Sequence, residues 1–210
     1  EDDGQRFAKE WTLREVVKRY SDFIEYPIEM EVGEGDERKS VKLNSQKPLW
    51  TRAASEIADE EYQEFYKHLS HDWSEPLETI HFKAEGTTEY SALLYIPRQR
   101  PFDLFDQNLA KSRIHLYVRR VFIMADCEEV APVWLRFVRG VVDSADLPLN
   151  ISREMIQQDR HIQQMRKWLT RKVLDYLDDL RQNDEAKYLE FWSQFGRVLK
   201  EGVSFDSDAR

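Results

Sequence analysis

The stretch TIHFKAEGTTEYSALLYI, residues 79–96, decides the reading of this chain. It holds two strand-like runs, Thr79 to Lys83 and Glu89 to Ile96, joined by Glu85-Gly86-Thr87-Thr88, which has the composition of a hairpin turn. A third run, Ile114 to Met124, sets Ile114, Leu116, Val118 and Phe122 roughly alternately against His115, Tyr117, Arg119 and Arg120, as one strand with two faces would. Between the second and third runs lies a polar loop with Pro97, Pro101 and the apolar cluster Phe102, Leu104 and Phe105.

Working outward, helical spacing replaces the strand period. Upstream, Asp59 to Leu69 opens on acids, with Asp59 placed to cap it, and sets Tyr62, Phe65, Tyr66 and Leu69 on one face. Further upstream come a helical pattern from Phe7 to Tyr20 and a strand from Ile28 to Val32 that ends at the Gly33-Glu34-Gly35-Asp36 turn. Downstream, a short helix is expected from about Pro132 to Val138, with proline in its first turn. Ile162, Met165, Leu169, Val173, Tyr176 and Leu180 then form a helical seam. A last helix from Asp184 to Lys200 is expected to turn Leu189, Trp192, Phe195 and Leu199 inward and to stop before Gly202. Mixed strands and helices give an α/β (α+β) layered domain with a helical C-terminal extension. The strand order stays open.

The 210 residues carry 40 acids against 31 bases, a formal net charge of −9, which argues against nucleic acid as the main partner. Cys127 is the only cysteine, so an intramolecular disulfide and a Cys-rich metal site are both excluded, and a reducing, cytoplasmic setting is expected. No run approaches the ~20 apolar residues of a membrane helix. The chain starts Glu1-Asp2-Asp3-Gly4 and finishes in a polar run from Ser204 to Arg210, so both ends read as cuts in a longer protein.

Most catalytic signatures are missing: no phosphate-binding glycine loop, no nucleophile-elbow serine, no paired-histidine zinc helix. Gly33-Glu34-Gly35 reads as a turn. His68 and His71 could share a helical face as metal ligands, but a surface helix terminus is the better reading. Cys127 sits among Asp126, Glu128 and Glu129, which makes it a poor nucleophile. Arg113, Arg119, Arg120, Arg136 and Arg139 suggest an anion site, against the commoner alternative of cations paired to the surplus of acids.

Residues 141–150, VVDSADLPLN, form an apolar-rich loop that leads into ISREMIQQ, residues 151–158. Asn150 or Ser152 can cap a helix starting there, which puts Arg153 in the first turn, where the helix dipole disfavours a cation. An anion arriving at that terminus would resolve the conflict, with Gln157 one turn along the same face. An ion pair of Arg153 with Glu154 or Asp146 is the structural alternative.

The segment DSADLPLNISREMIQQ closely resembles the catalytic loop of the heat-shock protein 90 chaperones. PLWTR at 48–52, EEYQEFYKHLSHDW at 60–73, LLYIPRQRPFDLF at 93–105, LYVRRVFI at 116–123 and WLRFVRGVVDS at 134–144 resemble the middle domain of that family, in its order. EFWSQFGRVLKEG at 190–202 is similar to its bacterial, HtpG-type branch. The resemblance implies a three-layer α-β-α sandwich over residues 1–182 and a helical coil over 183–210, cut before a smaller α/β subdomain. It implies an ATP-dependent chaperone in which ATP and Mg are held mostly by an absent N-terminal domain. Arg153 then reaches the terminal phosphate, with Asn150 and Gln157 as supporting catalytic-loop residues and Phe122 seating that loop. Trp73 matches an aromatic that contacts client proteins.

Phe102 and Phe105, in a loop, suit the same client-binding role, although large aromatics more often cap a core. The expected partners are client proteins, the N-terminal ATPase domain of the same chain, and a second copy through a missing C-terminal domain. The fragment itself is expected to be a monomer, with no cofactor of its own and no enzyme activity alone, and neither nucleic acid nor a membrane is expected as a partner. Two other readings stay open: a protein-interaction scaffold in which Arg153 is structural, and a stand-alone hydrolase resting only on the arginine cluster.

Overall fold

A computed structural model describes residues 9–33, 38–84, 89–106, 111–150 and 153–205, with the backbone alone at Arg153 and Phe205. The expected hairpin is present as β3 (Pro76–Ala84) and β4 (Tyr90–Pro97), antiparallel from Ala84 opposite Tyr90. The connecting residues 85–88 lie outside the described residues. All eight residues of β4 are buried, because a strand inside a sheet covered on both faces has no solvent side.

The third run differs from its expected form. It is two strands, β5 (Arg113–Val118) and β6 (Val121–Met124), paired antiparallel through a two-residue turn. Arg119 and Arg120 make that turn with φ of 50° and 67°. Tight hairpins need positive φ at both central residues, a need that sequences usually advertise with Asn-Gly. Two arginines give no such signal. A further strand, β7 (Arg139–Ser144), takes in the first residues of the segment 141–150 expected as a loop. It pairs antiparallel with β4 and parallel with β5, giving a five-stranded order β3-β4-β7-β5-β6. Gly140, Asp143 and Ser144 look like turn chemistry, yet β7 is the central strand.

The upstream elements are α1 (Glu10–Tyr20), the antiparallel pair β1 (Glu29–Val32) and β2 (Lys39–Lys42), and α2 (Asp59–Ser70). Phe7 falls outside the described residues. Ala58, not Asp59, occupies the cap of α2, and the Glu61 carboxylate accepts its N–H at 3.2 Å. The expected face of α2 does pack inward. Phe65 and Tyr66 are buried with Trp50, Leu93, Tyr95, Tyr117 and Val141, and Tyr62 and Leu69 lie against them.

The opposite face of the sheet carries Ala92, Leu94, Ile96, Ile114, Leu116, Val118 and Val142 against the C-terminal helices α3 (Arg153–Gln158), α4 (Arg160–Asn183) and α5 (Glu185–Phe205). Helices on both faces of one mixed sheet make the α/β, three-layer arrangement. Asp159 interrupts α3 and starts α4, its Oδ1 accepting the N–H of His161 at 2.7 Å and of Ile162 at 3.4 Å. The seam of α4 is Ile162, Met165, Leu169, Val173, Leu177 and Leu180. Tyr176 is only half-buried and gives its hydroxyl to Glu78.

The last helix keeps part of its expected face, with Phe195 buried and Leu199 packed against the core, but not all of it. Phe191, Phe195 and Val198 are its buried residues, Leu189 is 56 % exposed, and Trp192 is half-buried. Phe137 selects that face, with its ring 5.1 Å from Phe195 and 5.5 Å from Phe191. Gly202 lies inside α5 and does not end it; it lies against the Trp134 indole, 2.8 Å from where a Cβ would sit. The expected helix at 132–138 is only a 3-10 turn, Val133–Leu135, which delivers Trp134 and Leu135 to the core.

Candidate functional site

The loop that follows β7 is held at its root. Ala145 N–H donates to the Glu89 carbonyl at 3.1 Å, and Asp146 Oδ2 accepts the Glu89 N–H at 2.7 Å. Ser144 Oγ accepts from the N–H groups of Asp146 and Leu147, and Leu147 is buried. Beyond this anchor Leu149 is 51 % exposed and Asn150 is exposed. Ser152, the alternative cap, lies outside the described residues. α3 then begins at Arg153, whose side chain is also outside them. Ile156 fastens α3 to the core, while Gln157 is exposed.

A second connection ties this loop to the β5–β6 hairpin. Asp143, near the end of β7, accepts the indole N–H of Trp50 at 2.9 Å and the backbone N–H of Arg120 at 3.1–3.2 Å. Arg119 donates its backbone N–H to Ser144 O and its Nε–H to Ala145 O, each at 3.0 Å. Burial raises the Asp143 pKa, and the bonds from Trp50 and Arg120 partly offset it. One buried carboxylate therefore joins the segment at Trp50, the arginine turn and the strand leading to Asn150. Neither Asp143 nor Trp50 stood out in the sequence as a positioning group. The available signal was an acid next to two valines in a segment that buries.

The hairpin carries Phe122, half-buried and edge-on to Tyr117 at 5.5 Å, Tyr20 at 5.8 Å and His115 at 5.9 Å. Phe122 and Gln157 line one cleft of about 610 Å³, together with Arg19, Tyr20, Met124 and Glu129. The sequence placed these two residues 35 positions apart. Asn150 is exposed, and Arg153 begins the helix that carries Gln157.

The aromatics proposed for client contact separate into two kinds. Trp73 is 84 % exposed, just past the left-handed C-cap of α2 at His71. Phe102 is 99 % exposed, on a turn closed by Leu104 N–H to Pro101 O. Phe105 is half-buried, with the guanidinium of Arg197 at 4.7 Å and that of Arg100 at 5.5 Å from its ring.

The five arginines do not converge on an anion site. Arg113 pairs with Asp103 at 2.6 Å, and buried Arg136 holds both oxygens of Glu201 at 2.6 and 2.9 Å. Arg139 donates to the Ser70 carbonyl, and Arg119 and Arg120 form the β5–β6 turn. His71 ends α2 with φ 54°, so the two histidines mark a helix terminus. No cluster of three or more His, Cys, Asp or Glu suited to a metal occurs among the described residues. Cys127 is buried, and burial with the Glu129 carboxylate beside it pushes its thiol pKa up to about 12. No helix among the described residues is long and apolar enough to cross a membrane.

Comparison with known proteins gives a consistent result. The family described as "Hsp90 protein" matches residues 34–210. Proteins named "Chaperone protein HtpG" align over nearly the whole chain. The one from Nocardia farcinica is 55 % identical over 100 % of this chain and 34 % of its own length. Those from Mycolicibacterium gilvum and Mycobacterium leprae are 52 % and 49 % identical, over 99 % and 100 % of this chain and 34 % of their own lengths. The chain thus spans about a third of the length of the curated relatives it matches.

Proposed function

Because this chain belongs to the Hsp90 family, we propose that it is the middle segment of a cytoplasmic, ATP-dependent molecular chaperone, contacting client proteins and completing an ATPase site held mostly elsewhere. In this reading the nucleotide and its Mg are bound by an N-terminal domain of the same protein, and two copies join through a C-terminal domain. The segment alone is monomeric and does not turn over ATP.

The observation that carries the reading is the shared cleft of Phe122 and Gln157, Gln157 belonging to the helix that begins at Arg153. The residues present suit a supporting contact to a phosphate and not a whole nucleotide pocket. They offer a cation, side-chain amides and helix-terminal N–H groups, with no candidate metal cluster among the described residues. Bound ATP supplies a terminal phosphoryl group on which negative charge develops. Arg153 meets that charge with its guanidinium, and Gln157, one turn further along α3, orients the contact. Phe122 seats the loop, and the Asp143 linkage holds loop and hairpin in one geometry. An arginine that arrives only on domain closure makes turnover depend on conformation. Exposed Trp73 and Phe102 offer apolar contact to partly folded chains, with half-buried Phe105 as a third aromatic.

The test is steady-state ATP turnover of the full-length protein carrying this segment, with and without Arg153→Ala, alongside ATP affinity and thermal melting. Turnover is expected to fall about tenfold or more while affinity and melting hold. Turnover that survives, or that falls only because the protein unfolds, would make Arg153 structural and this segment an interaction scaffold.

A further inference from the structure

The C-terminal helix presents a cationic and aromatic face on a strongly acidic protein. The segment from Arg98 to Phe105 is clasped along one side of α5. Arg98 pairs with Glu190 at 2.8 Å, and Arg100 N–H donates to Gln194 Oε1 at 3.3 Å. Arg197 then stacks on Phe105. Glu190, Gln194 and Arg197 follow helical spacing, so the clasp runs straight down one stripe of α5. On the next stripe the Trp192 indole lies over Gly196, where a Cβ would come within 2.7 Å of it, and Lys200 Nζ sits 5.0 Å from the indole ring centre. A groove of about 600 Å³ follows Trp192, Gly196, Arg197, Lys200 and Glu201.

The charges on this face are unbalanced. Arg100, Arg197 and Lys200 are exposed, and none has an ion-pair partner among the described residues. Two carboxylates of this helix are already occupied, Glu190 by Arg98 and both oxygens of Glu201 by Arg136. The protein has nine more acids than bases, so three cations gathered without a carboxylate partner run against its overall balance. An aromatic ring under each of Arg197 and Lys200 shields one side of the cation and leaves its N–H groups outward, which suits a carboxylate from another chain. Phe102, fully exposed on the same clasped loop, supplies an apolar contact.

We propose that this face, formed by Arg100, Arg197 and Lys200 with Trp192, Phe105 and Phe102, docks an acidic protein segment whose carboxylates alternate with aromatic or branched apolar residues. The cations select the acids and the rings take the apolar side chains. This deepens the client-contact part of the proposed function and is independent of Arg153 and of ATP. Single-stranded nucleic acid would also use cations and rings, but it needs a long basic track, and the net charge of −9 opposes it.

The experiment is fluorescence anisotropy of the 210-residue chain with four labelled probes. They are a peptide of alternating Asp/Glu and Phe/Leu, the same peptide with Lys for the acids, the same with Ser for the acids, and an oligothymidine. The acidic peptide is expected to bind in preference to the other three and to weaken as salt rises from about 50 to 300 mM. Arg197→Glu with Lys200→Glu is expected to weaken it about tenfold or more. Arg100→Glu should act in the same direction, and melting of all variants should stay near that of the parent because these side chains are exposed. Equal binding by the charge-reversed chain, equal binding of the lysine peptide, tighter binding of the oligothymidine, or no binding of the acidic peptide would each overturn the proposal. If the serine peptide binds as well as the acidic one and Phe102→Ser abolishes both, client contact stands while the charge selection fails.

Discussion

Gly140 sits in the central strand where three backbones meet. It pairs with Leu94 of β4 on one side and Ile114 of β5 on the other. Its φ is 152°, and a Cβ built there would lie 2.3 Å from the Leu93 carbonyl oxygen and 2.8 Å from the Leu94 Cα. Both obstacles are backbone, so no rotamer change relieves the clash and the strands must separate. Gly140→Ala is therefore expected to cost on the order of 3 kcal/mol, read as a lower urea midpoint with unchanged slope. An unchanged midpoint would mean that the sheet tolerates local opening at its centre. Asp143, three residues on, belongs to the same strand but acts differently: its buried carboxylate gathers Trp50 and Arg120, and with the Arg119 bonds to Ser144 and Ala145 it sets the relation of loop to hairpin.

Between elements, the link of α2 to the sheet edge runs through His81 on β3. Its Nδ1 lies 2.7 Å from the Tyr62 hydroxyl of α2, and its Nε2 lies 3.3 Å from the Trp50 carbonyl. A carbonyl only accepts, so Nε2 carries the proton and neutral Nδ1 accepts from Tyr62. Burial lowers the His81 pKa, partly opposed by the bond to Trp50. Burial also lowers that of His115 on β5, opposed by Asp126 and reinforced by His68. A folded-state histidine pKa below the unfolded value of 6.5 means that the unfolded chain takes up the proton first. The stability contributed by these groups is present above that value and is lost as pH falls below it. Melting temperature should accordingly drop on acidification below pH 6.5, and His81→Gln should flatten that drop. A slope identical in the variant would assign the effect to other groups.

Across the whole molecule, the last helix is part of the core. Phe191, Phe195 and Val198 of α5 bury against Phe137, and Glu201 closes on Arg136, whose Nε–H also donates to the Leu104 carbonyl. The turn into α5 is one residue, Asp184, and its Oδ1 accepts the Lys187 N–H. A chain ended at Asn183 uncovers Phe137 and loses three buried apolar side chains, on the order of 5 kcal/mol of burial. That is comparable with the total stability of an ordinary domain. The shortened chain should bind a hydrophobic dye and melt without a sharp transition. Cooperative melting close to that of the parent would instead support residues 183–210 as an appended coil on a sandwich complete at 182.

Much of this architecture was legible as pattern. The β3–β4 hairpin, the inward face of α2, the α4 seam except for Leu177 in place of Tyr176, and the break near Asp184 all follow from residue order, because strand alternation, helical spacing and capping are local properties. The alternating run at 114–124 was read correctly as strand but not as a hairpin, since Arg119 and Arg120 reach positive φ through bonds to Asp143, Ser144 and Ala145 some 25 positions away. β7 was hidden for a related reason. Gly140 and Asp143 carry turn chemistry, and only the neighbouring strands show that one permits close approach and the other satisfies buried donors. The register of α5 and the pairing of Phe122 with Gln157 in one cleft likewise depend on distant partners. Local chemistry named the elements and the candidate residues. Packing between residues far apart in the chain chose the faces, closed the turns and brought those residues together, because burial and hydrogen-bond satisfaction are settled only when the partners meet.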